Sequence, residues 1–186
     1  MTYMNELDKL LDGNKRFVSG NMLQKDHKKV REQTKNGQKP WAIVVTCSDS
    51  RVVPEYIFDA NLGDLFIIRT AGNIVDTITL GSIEYGIEHL HTPLLVVLGH
   101  EKCGAITAAC KGNHCPPNIK AIVDKLKLPV HIAERDVEKS IKENAKAVLA
   151  EICGRSEIVR HFESGGKLKL VAMKYYFEDG RVDVLQ

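Results

Sequence analysis

Trp41-Ala-Ile-Val-Val-Thr46 is a run of mostly apolar, β-branched residues that leads directly into Cys47-Ser-Asp-Ser-Arg51. A second run of this kind, Leu94-Leu-Val-Val-Leu98, leads after one glycine into His100-Glu-Lys-Cys103. Short apolar runs of this composition are typical of strands that are buried on both faces of a parallel sheet. Because open α/β sheets place their sites at the carboxyl ends of parallel strands, both polar strings are predicted to lie at one edge of such a sheet.

The rest of the chain alternates between helical and strand-like patterns. Apolar residues at helical spacing predict helices over 5–18, 79–91, 104–110, 119–127 and 132–163, the last interrupted near Gly154. A further apolar run predicts a strand over 65–68. Asp179-Gly180 lies between two strand-like runs, 167–173 and 175–185, which is typical of a β-hairpin. The sequence therefore predicts an α/β fold with a mainly parallel central sheet flanked by helices and an antiparallel C-terminal edge hairpin.

Composition limits the classes of partner. The 186 residues are 44% hydrophobic, which fits one compact domain, and the 26 basic and 24 acidic residues nearly cancel, which argues against a polyanionic partner such as nucleic acid. The basic segment 25–39 contains two acidic residues and no aromatic residue that could stack on bases. With no apolar run long enough to cross a bilayer and no leader-like segment, we expect no membrane partner and a cytoplasmic location, which an odd count of five cysteines supports.

Cys47, His100 and Cys103 are candidate metal ligands. Two thiols and one imidazole are a ligand set that suits zinc. A structural zinc site normally has four protein ligands, whereas three ligands and an open fourth position are typical of a catalytic zinc ion. Of the other cysteines, Cys110 and Cys153 fall in helical patterns and are interpreted as small buried hydrophobic residues, while Cys115 next to a histidine leaves a weak accessory metal site as an alternative.

Asp49 and Arg51 are candidate catalytic residues. They lie two positions apart in an extended segment, so both side chains can project to the same side as Cys47. An arginine next to an aspartate keeps the carboxylate ionised by lowering its pKa. The alternative is an ordinary surface ion pair of little energetic value; the functional interpretation is an acceptor that orients a water molecule at the metal.

The composite motif Cys47-x-Asp49-x-Arg51 with His100-x-x-Cys103 resembles that of the β-class carbonic anhydrases. The similarity covers nearly all of 38–110, loosely extends to the terminal hairpin and is weak over 111–165; its further segments are 53–55, 68–73, 81–85 and 97–104. The resemblance implies one Zn²⁺ per chain held by the three candidate ligands, with the aspartate and arginine of the motif as the catalytic dyad. It implies carbon dioxide and bicarbonate as the small-molecule substrates.

The resemblance also implies a substrate pocket that contains Gln38, Phe66, Tyr85 and Gly104. The alternatives are a loop amide, a core ring and an exposed phenol on a helix for the first three residues. Many bacterial members that are gated by bicarbonate carry a tryptophan where this chain has Val44, so the resemblance favours the open, plant-type subgroup.

We therefore expect a single domain over 1–186, composed of an N-terminal helical arm (1–37), a zinc-site core (38–110), a helical region (111–165) and a C-terminal hairpin (166–186). The expected activity is zinc-dependent reversible hydration of carbon dioxide, in a homodimer or a higher homo-oligomer as in the family. Two alternatives stay open: a zinc hydrolase of the same fold that acts on carbonyl sulfide or carbon disulfide, and a non-catalytic, zinc-dependent dimeric binding protein. A cysteine phosphatase is disfavoured because three residues rather than five separate the cysteine from the arginine.

Overall fold

The protein forms one twisted sheet with helices on both faces. The computed structural model describes residues 4–186, so residues 1–3 of the predicted arm lie outside the described part of the chain. The strands are β1 (Ala42–Cys47), β2 (Leu65–Thr70), β3 (Leu94–His100), β4 (Lys169–Tyr175) and β5 (Val182–Val184). Their order is β2-β1-β3-β4-β5; every pair is parallel except β4 and β5, which confirms the predicted fold class.

The helices connect the strands and cover both faces of the sheet. They are α1 (Met4–Val18), α2 (His27–Thr34), α3 (Pro54–Ile57), α4 (Thr77–Glu88), α5 (Gly104–Lys111), α6 (Pro117–Lys125), α7 (Lys127–Ile132), α8 (Val137–Arg155) and α9 (Glu157–Ser164). Side chains of α4, α8 and α9 pack on one face of the sheet, and those of α1 and α3 pack on the other. A 3-10 turn over Ala71–Asn73 follows β2.

β1 and β3 are the central strands, and every residue of both is buried. β1 pairs with both neighbours, and its Thr46 lies opposite Leu98 of β3. The prediction of a buried strand over 65–68 was wrong about burial: β2 is only half-buried, because it lies at the edge of the sheet and, within residues 4–186, has a neighbouring strand on one side only.

Helix α1 is fastened to the hairpin and to α3. Asn14 donates from its amide nitrogen to the carbonyl oxygens of Ile57 and Gly180, and its side-chain oxygen accepts from the Val182 backbone N–H at 2.8 Å. Gly13 permits this close packing, since a Cβ atom at that position would lie 1.8 Å from the Phe58 carbonyl oxygen. The two ends of the chain are thus joined through one buried side chain.

The helical region differs from its prediction in three places. A non-helical connection was expected up to residue 118, but α6 begins at Pro117, because proline fits the first turn of a helix. The predicted helix 132–163 begins later, since Glu134 and Arg135 both adopt left-handed backbone conformations. Its interruption falls at Ser156 rather than at Gly154, and the Ser156 hydroxyl caps α9 by accepting from the Val159 backbone N–H.

The C-terminal hairpin is confirmed, although its second strand is shorter than the predicted 175–185. Within the hairpin, residues 182–184 pair with β4, and the intervening residues form the turn that contains Gly180 in a left-handed conformation. Among the residues that the structure describes, no helix has the length and apolar character needed to span a bilayer.

Candidate metal centre

The three predicted ligands converge at the carboxyl edge of the sheet. Cys47 is the last residue of β1, His100 is the last residue of the adjacent β3, and Cys103 immediately precedes α5. Their ligand atoms all lie within 4.8 Å of one another, and all three residues are buried. The convergence follows from the parallel pairing of β1 and β3, which brings the ends of the two strands to the same edge.

The His100 ring is oriented for metal binding. Its Nδ1 lies 2.8 Å from the Glu101 carbonyl oxygen, and since a carbonyl can only accept, Nδ1 carries the proton. In this tautomer Nε2 presents its lone pair; the atom is buried and finds no hydrogen-bond partner among the residues that the structure describes. A buried nitrogen without a partner is costly in a folded protein unless a ligand satisfies it. A metal ion is such a ligand, and a backbone carbonyl is a usual partner for the other nitrogen of a metal-binding histidine.

The two cysteines are set up to share a positive ion. The neighbouring Cys103 thiol lowers the pKa of Cys47, and the Gly72 backbone N–H, 3.3 Å from Cys47 Sγ, also favours the thiolate. The proximity of Cys47, together with burial, raises the pKa of Cys103. Gly72 reaches the sulfur in a left-handed conformation (φ 71°) that favours glycine.

The donor set therefore fits a zinc ion. Zinc bonds of about 2.3 Å to sulfur and about 2.0 Å to nitrogen let one ion reach all three atoms after small side-chain adjustments. Within the described residues no other group of three or more potential ligands comes together. Cys110 lies in α5 and Cys153 in α8, and Cys115 donates from its thiol to the Asn113 carbonyl; among the described residues none of these three cysteines joins such a group.

Asp49 and Arg51 form a two-pronged ion pair beside the ligands. Arg51 Nε donates to Asp49 Oδ1 at 3.0 Å and Arg51 Nη2 donates to Oδ2 at 2.8 Å, while the Arg51 backbone N–H also reaches Oδ1 at 3.0 Å. The hydrogen bond from the guanidinium, aided by that of the backbone, lowers the pKa of Asp49 to about 2. The Asp49 side chain is 17% exposed and that of Arg51 is 54% exposed, so the carboxylate is largely covered while the guanidinium reaches solvent.

Arg69 braces the segment that carries Cys47 and Asp49. Its guanidinium donates to the Cys47 carbonyl oxygen at 3.1 Å and to the Asp49 carbonyl oxygen at 2.6 Å. No pattern in the sequence predicted this role for Arg69. The parallel register supplies the reason for its reach, because Arg69 of β2 lies opposite Thr46, one residue before the first ligand.

Two further residues near the site were also missed. Glu101 accepts the Phe177 backbone N–H at its carboxylate (2.8 Å), and the Phe177 ring centroid lies 4.0 Å from Arg51 Cζ. The same ring packs against the His100 imidazole at a centroid distance of 5.5 Å. No sequence signal could have found this contact, since residues 51 and 177 are linked only through the sheet topology.

The predicted pocket residues are less closely grouped. The Phe66 and Tyr85 rings are neighbours, with centroids 6.3 Å apart, and Tyr85 is partly exposed on α4. Gln38 is exposed in the segment before β1, and Gly104 is the exposed first residue of α5. Their role in substrate binding stays a prediction.

Comparison with known proteins identifies similar chains. The family model for carbonic anhydrase matches residues 42–182. Carbonic anhydrase 2 of Mycobacterium tuberculosis (strain H37Rv) is 38% identical in an alignment of 184 positions, and the alignment covers 92% of this chain and 87% of that protein. The carbonic anhydrase of Mycolicibacterium smegmatis is 35% identical and covers 94% of this chain and 89% of its own length.

A solved structure has the same fold. The β-carbonic anhydrase CafA of Aspergillus fumigatus superimposes with a TM-score of 0.80 at 25% identity, over 97% of this chain and 91% of that chain.

Proposed function

Because the chain belongs to the β-class carbonic anhydrase family, we propose that it catalyses the zinc-dependent, reversible hydration of carbon dioxide to bicarbonate and a proton. The observation that carries the proposal is the buried His100 Nε2, which has no hydrogen-bond partner in the described part of the chain and lies close to the two cysteine sulfurs, beside a fixed Asp–Arg pair. A purely structural metal site would not require a nearby carboxylate whose orientation is fixed by an arginine.

Cys47, His100 and Cys103 would hold the zinc ion. When bound, zinc supplies a nucleophile near neutral pH by lowering the pKa of water from about 15.7 towards about 7. Two thiolates cancel the charge of the ion, so the surrounding residues must help to orient and deprotonate the water.

Asp49 is placed to give that help. Its carboxylate is ionised, and Arg51 holds both oxygens on one side, which leaves the remaining lone pairs as acceptors for a hydrogen bond from the water. Arg69 fixes the backbone of the same segment. In this arrangement Asp49 would accept a hydrogen bond from that water and so orient the oxygen lone pair towards the carbon atom of the substrate.

Carbon dioxide is small and uncharged, so its container is expected to be apolar with one polar donor. We assign this container to Phe66, Tyr85 and Gly104, with the Gln38 amide donating to the oxygen that becomes negative as bicarbonate forms. The contact between the Phe66 and Tyr85 rings supports their place in one wall.

We also propose a homo-oligomer and a cytoplasmic location. The open edge of β2 is half-buried in the single chain, and Ile78 and Tyr85 of α4, which contacts β2, are exposed. An edge strand with exposed apolar neighbours is a ready surface for pairing with a second copy. The five free cysteines fit a reducing compartment. Sedimentation of the purified chain as a monomer would contradict the oligomer.

The function is tested with purified protein in two measurements. Elemental analysis should find one zinc ion per chain, and stopped-flow assays should show rapid hydration of carbon dioxide that disappears when the metal is removed. Hydrolysis of carbonyl sulfide or carbon disulfide without hydration of carbon dioxide would instead support the hydrolase alternative. Stoichiometric zinc without any turnover would support the non-catalytic one.

A further inference from the structure

Phe177 contacts both halves of the site. It lies just after β4, in the turn that leads to β5, and is half-buried. On one side, the Phe177 ring packs against the imidazole of His100, with ring centroids 5.5 Å apart and an interplanar angle of 60°. The guanidinium of Arg51 lies over the ring, with Cζ 4.0 Å from the centroid. A hairpin residue that follows Arg51 by 126 positions and His100 by 77 therefore contacts both the dyad and a predicted metal ligand.

Arg51 needs a second partner to stay in one orientation. The edge of its guanidinium is occupied by the two oxygens of Asp49, yet the side chain as a whole is 54% exposed. A long, exposed side chain held by one ion pair retains much rotational freedom. A cation over an aromatic ring is attracted to its π-electrons, so the Phe177 ring restrains the face of the group while Asp49 binds its edge.

The Phe177 ring is itself held in place by Glu101, which lies between His100 and Cys103 in the sequence. Glu101 accepts the Phe177 backbone N–H at Oε2 (2.8 Å), and its own backbone N–H donates to the Tyr175 carbonyl oxygen at 2.9 Å. The Tyr175 ring also packs edge-on against Phe177 at a centroid distance of 5.4 Å. Since Glu101 follows His100 and its carbonyl orients that imidazole, one residue connects the metal ligand to the ring that covers Arg51.

We infer that Phe177 is a positioning residue, whose ring holds the Arg51 guanidinium in the plane from which it binds both oxygens of Asp49, and that Glu101 fixes the place of the ring. The effect on the orientation of Arg51 is independent of any activity. The effect on turnover rests on the proposed function.

The direct test is the exchange of the Arg51 Nε proton with solvent, measured by NMR on the full chain with ¹⁵N-labelled arginine. In the wild type, this proton should be protected by Asp49 and shielded by the ring current of Phe177. Phe177→Leu keeps apolar bulk but removes the aromatic face, so exchange should become about two- to fivefold faster, as expected for the loss of one cation–π contact. Phe177→Tyr keeps the face and should restore slow exchange.

Phe162→Leu is the matched control. Phe162 is another half-buried phenylalanine with a cation near its ring, Lys167 at 5.9 Å, but it lies on α9. This variant should leave the Arg51 signal unchanged. Glu101→Ala supplies a second route to the same result, because it releases the Phe177 backbone, whereas Glu101→Gln keeps an oxygen acceptor and should behave like the wild type.

Hydration of carbon dioxide is measured on the same proteins. Phe177→Leu should lower kcat/KM by about the same two- to fivefold with zinc content unchanged, and the loss should vanish when Arg51 is already alanine, as a double-mutant cycle requires for a role exerted through that residue. Unchanged Arg51 exchange in both Phe177→Leu and Glu101→Ala would overturn the inference. A wild-type protein without hydration activity would overturn the proposed function and leave the exchange test standing.

Discussion

Asp49 and Arg51 are joined so that one guanidinium occupies both oxygens of one carboxylate, with distances of 3.0 Å (Nε–Oδ1) and 2.8 Å (Nη2–Oδ2). Asp49 lies only two residues after Cys47, within reach of the metal position. Paired, charge-assisted hydrogen bonds of this kind fix orientation as well as charge. The pair therefore keeps the carboxylate ionised and holds it in one orientation.

Arg51→Ala should retain zinc and lose most hydration activity. Without the guanidinium, the Asp49 carboxylate is free to rotate and become a fourth ligand, which closes the position that the nucleophile needs. The loss in kcat should be about 10²-fold or more, as for the removal of other groups that organise a reacting centre. Zinc analysis and stopped-flow kinetics on the same sample measure both quantities.

Arg181→Ala is the control for this variant. Arg181 binds Asp179 with the same two-residue spacing, through its backbone N–H and Nε, but it lies in the hairpin turn. Its loss should leave hydration near the wild-type rate. Asp49→Ala should instead keep an open position with an unoriented water, so its residual activity should move to higher pH. Near wild-type hydration by either Arg51→Ala or Asp49→Ala would falsify the assigned roles.

Cys103→Ala should fail to retain stoichiometric zinc. The variant removes one of the three predicted ligands. It also removes the thiol that lowers the pKa of Cys47. Elemental analysis after dialysis measures the metal directly. Cys153→Ser is the matched change at a cysteine outside the centre and should keep one zinc ion per chain. Full zinc content in Cys103→Ala would remove that residue from the ligand set.

The parts of the site that sequence predicted are those that a parallel sheet brings together by rule. Cys47 and His100 end adjacent parallel strands, so their proximity follows from two apolar runs and a topology. Phe177 escaped prediction because its contact with Arg51 depends on the path of the hairpin after β4, which leaves no period or motif in the sequence. The left-handed residues Glu134 and Arg135 were missed because neither is a glycine or an asparagine, the residue types that would mark a left-handed break in the sequence.

Gln38→Ala should lower kcat/KM while zinc content stays unchanged. The expected loss is about tenfold, within the range for the removal of one hydrogen bond to a developing charge. Gln33→Ala is the matched control, because Gln33 is another exposed glutamine in the N-terminal arm. Equal activity in the two variants would show that Gln38 does not line the pocket and would leave the proposed zinc chemistry untouched.

Asp59 is the buried ionic anchor of the N-terminal arm. Arg16 Nε lies 2.6 Å from its Oδ2, Lys25 Nζ lies 2.7 Å from its Oδ1, and the Leu23 backbone N–H donates at 3.1 Å. Burial alone would raise the pKa of the carboxyl group, but the hydrogen bonds from Arg16 and Lys25 outweigh it and lower the pKa to about 2. The arm is thus held against the core by a group that must stay ionised.

The contribution of Asp59 to the free energy of unfolding should be lost as the pH falls from about 4 to about 2. A carboxyl group whose pKa is lower in the folded state stabilises the fold above its unfolded pKa, and the contribution is lost as the pH falls through the folded value. The shift from 3.8 to about 2 corresponds to about 2 kcal/mol in the free energy of unfolding. Asp59→Asn should therefore be less stable than the wild type in urea at pH 6, and the difference should shrink as the pH approaches 2.

Asp12→Asn on the solvent-exposed face of α1 is the control and should follow the wild-type curve closely, because water screens its pair with Lys15. A difference between Asp59→Asn and the wild type that stayed constant from pH 6 to pH 2 would show that the carboxylate is not the group that acid releases.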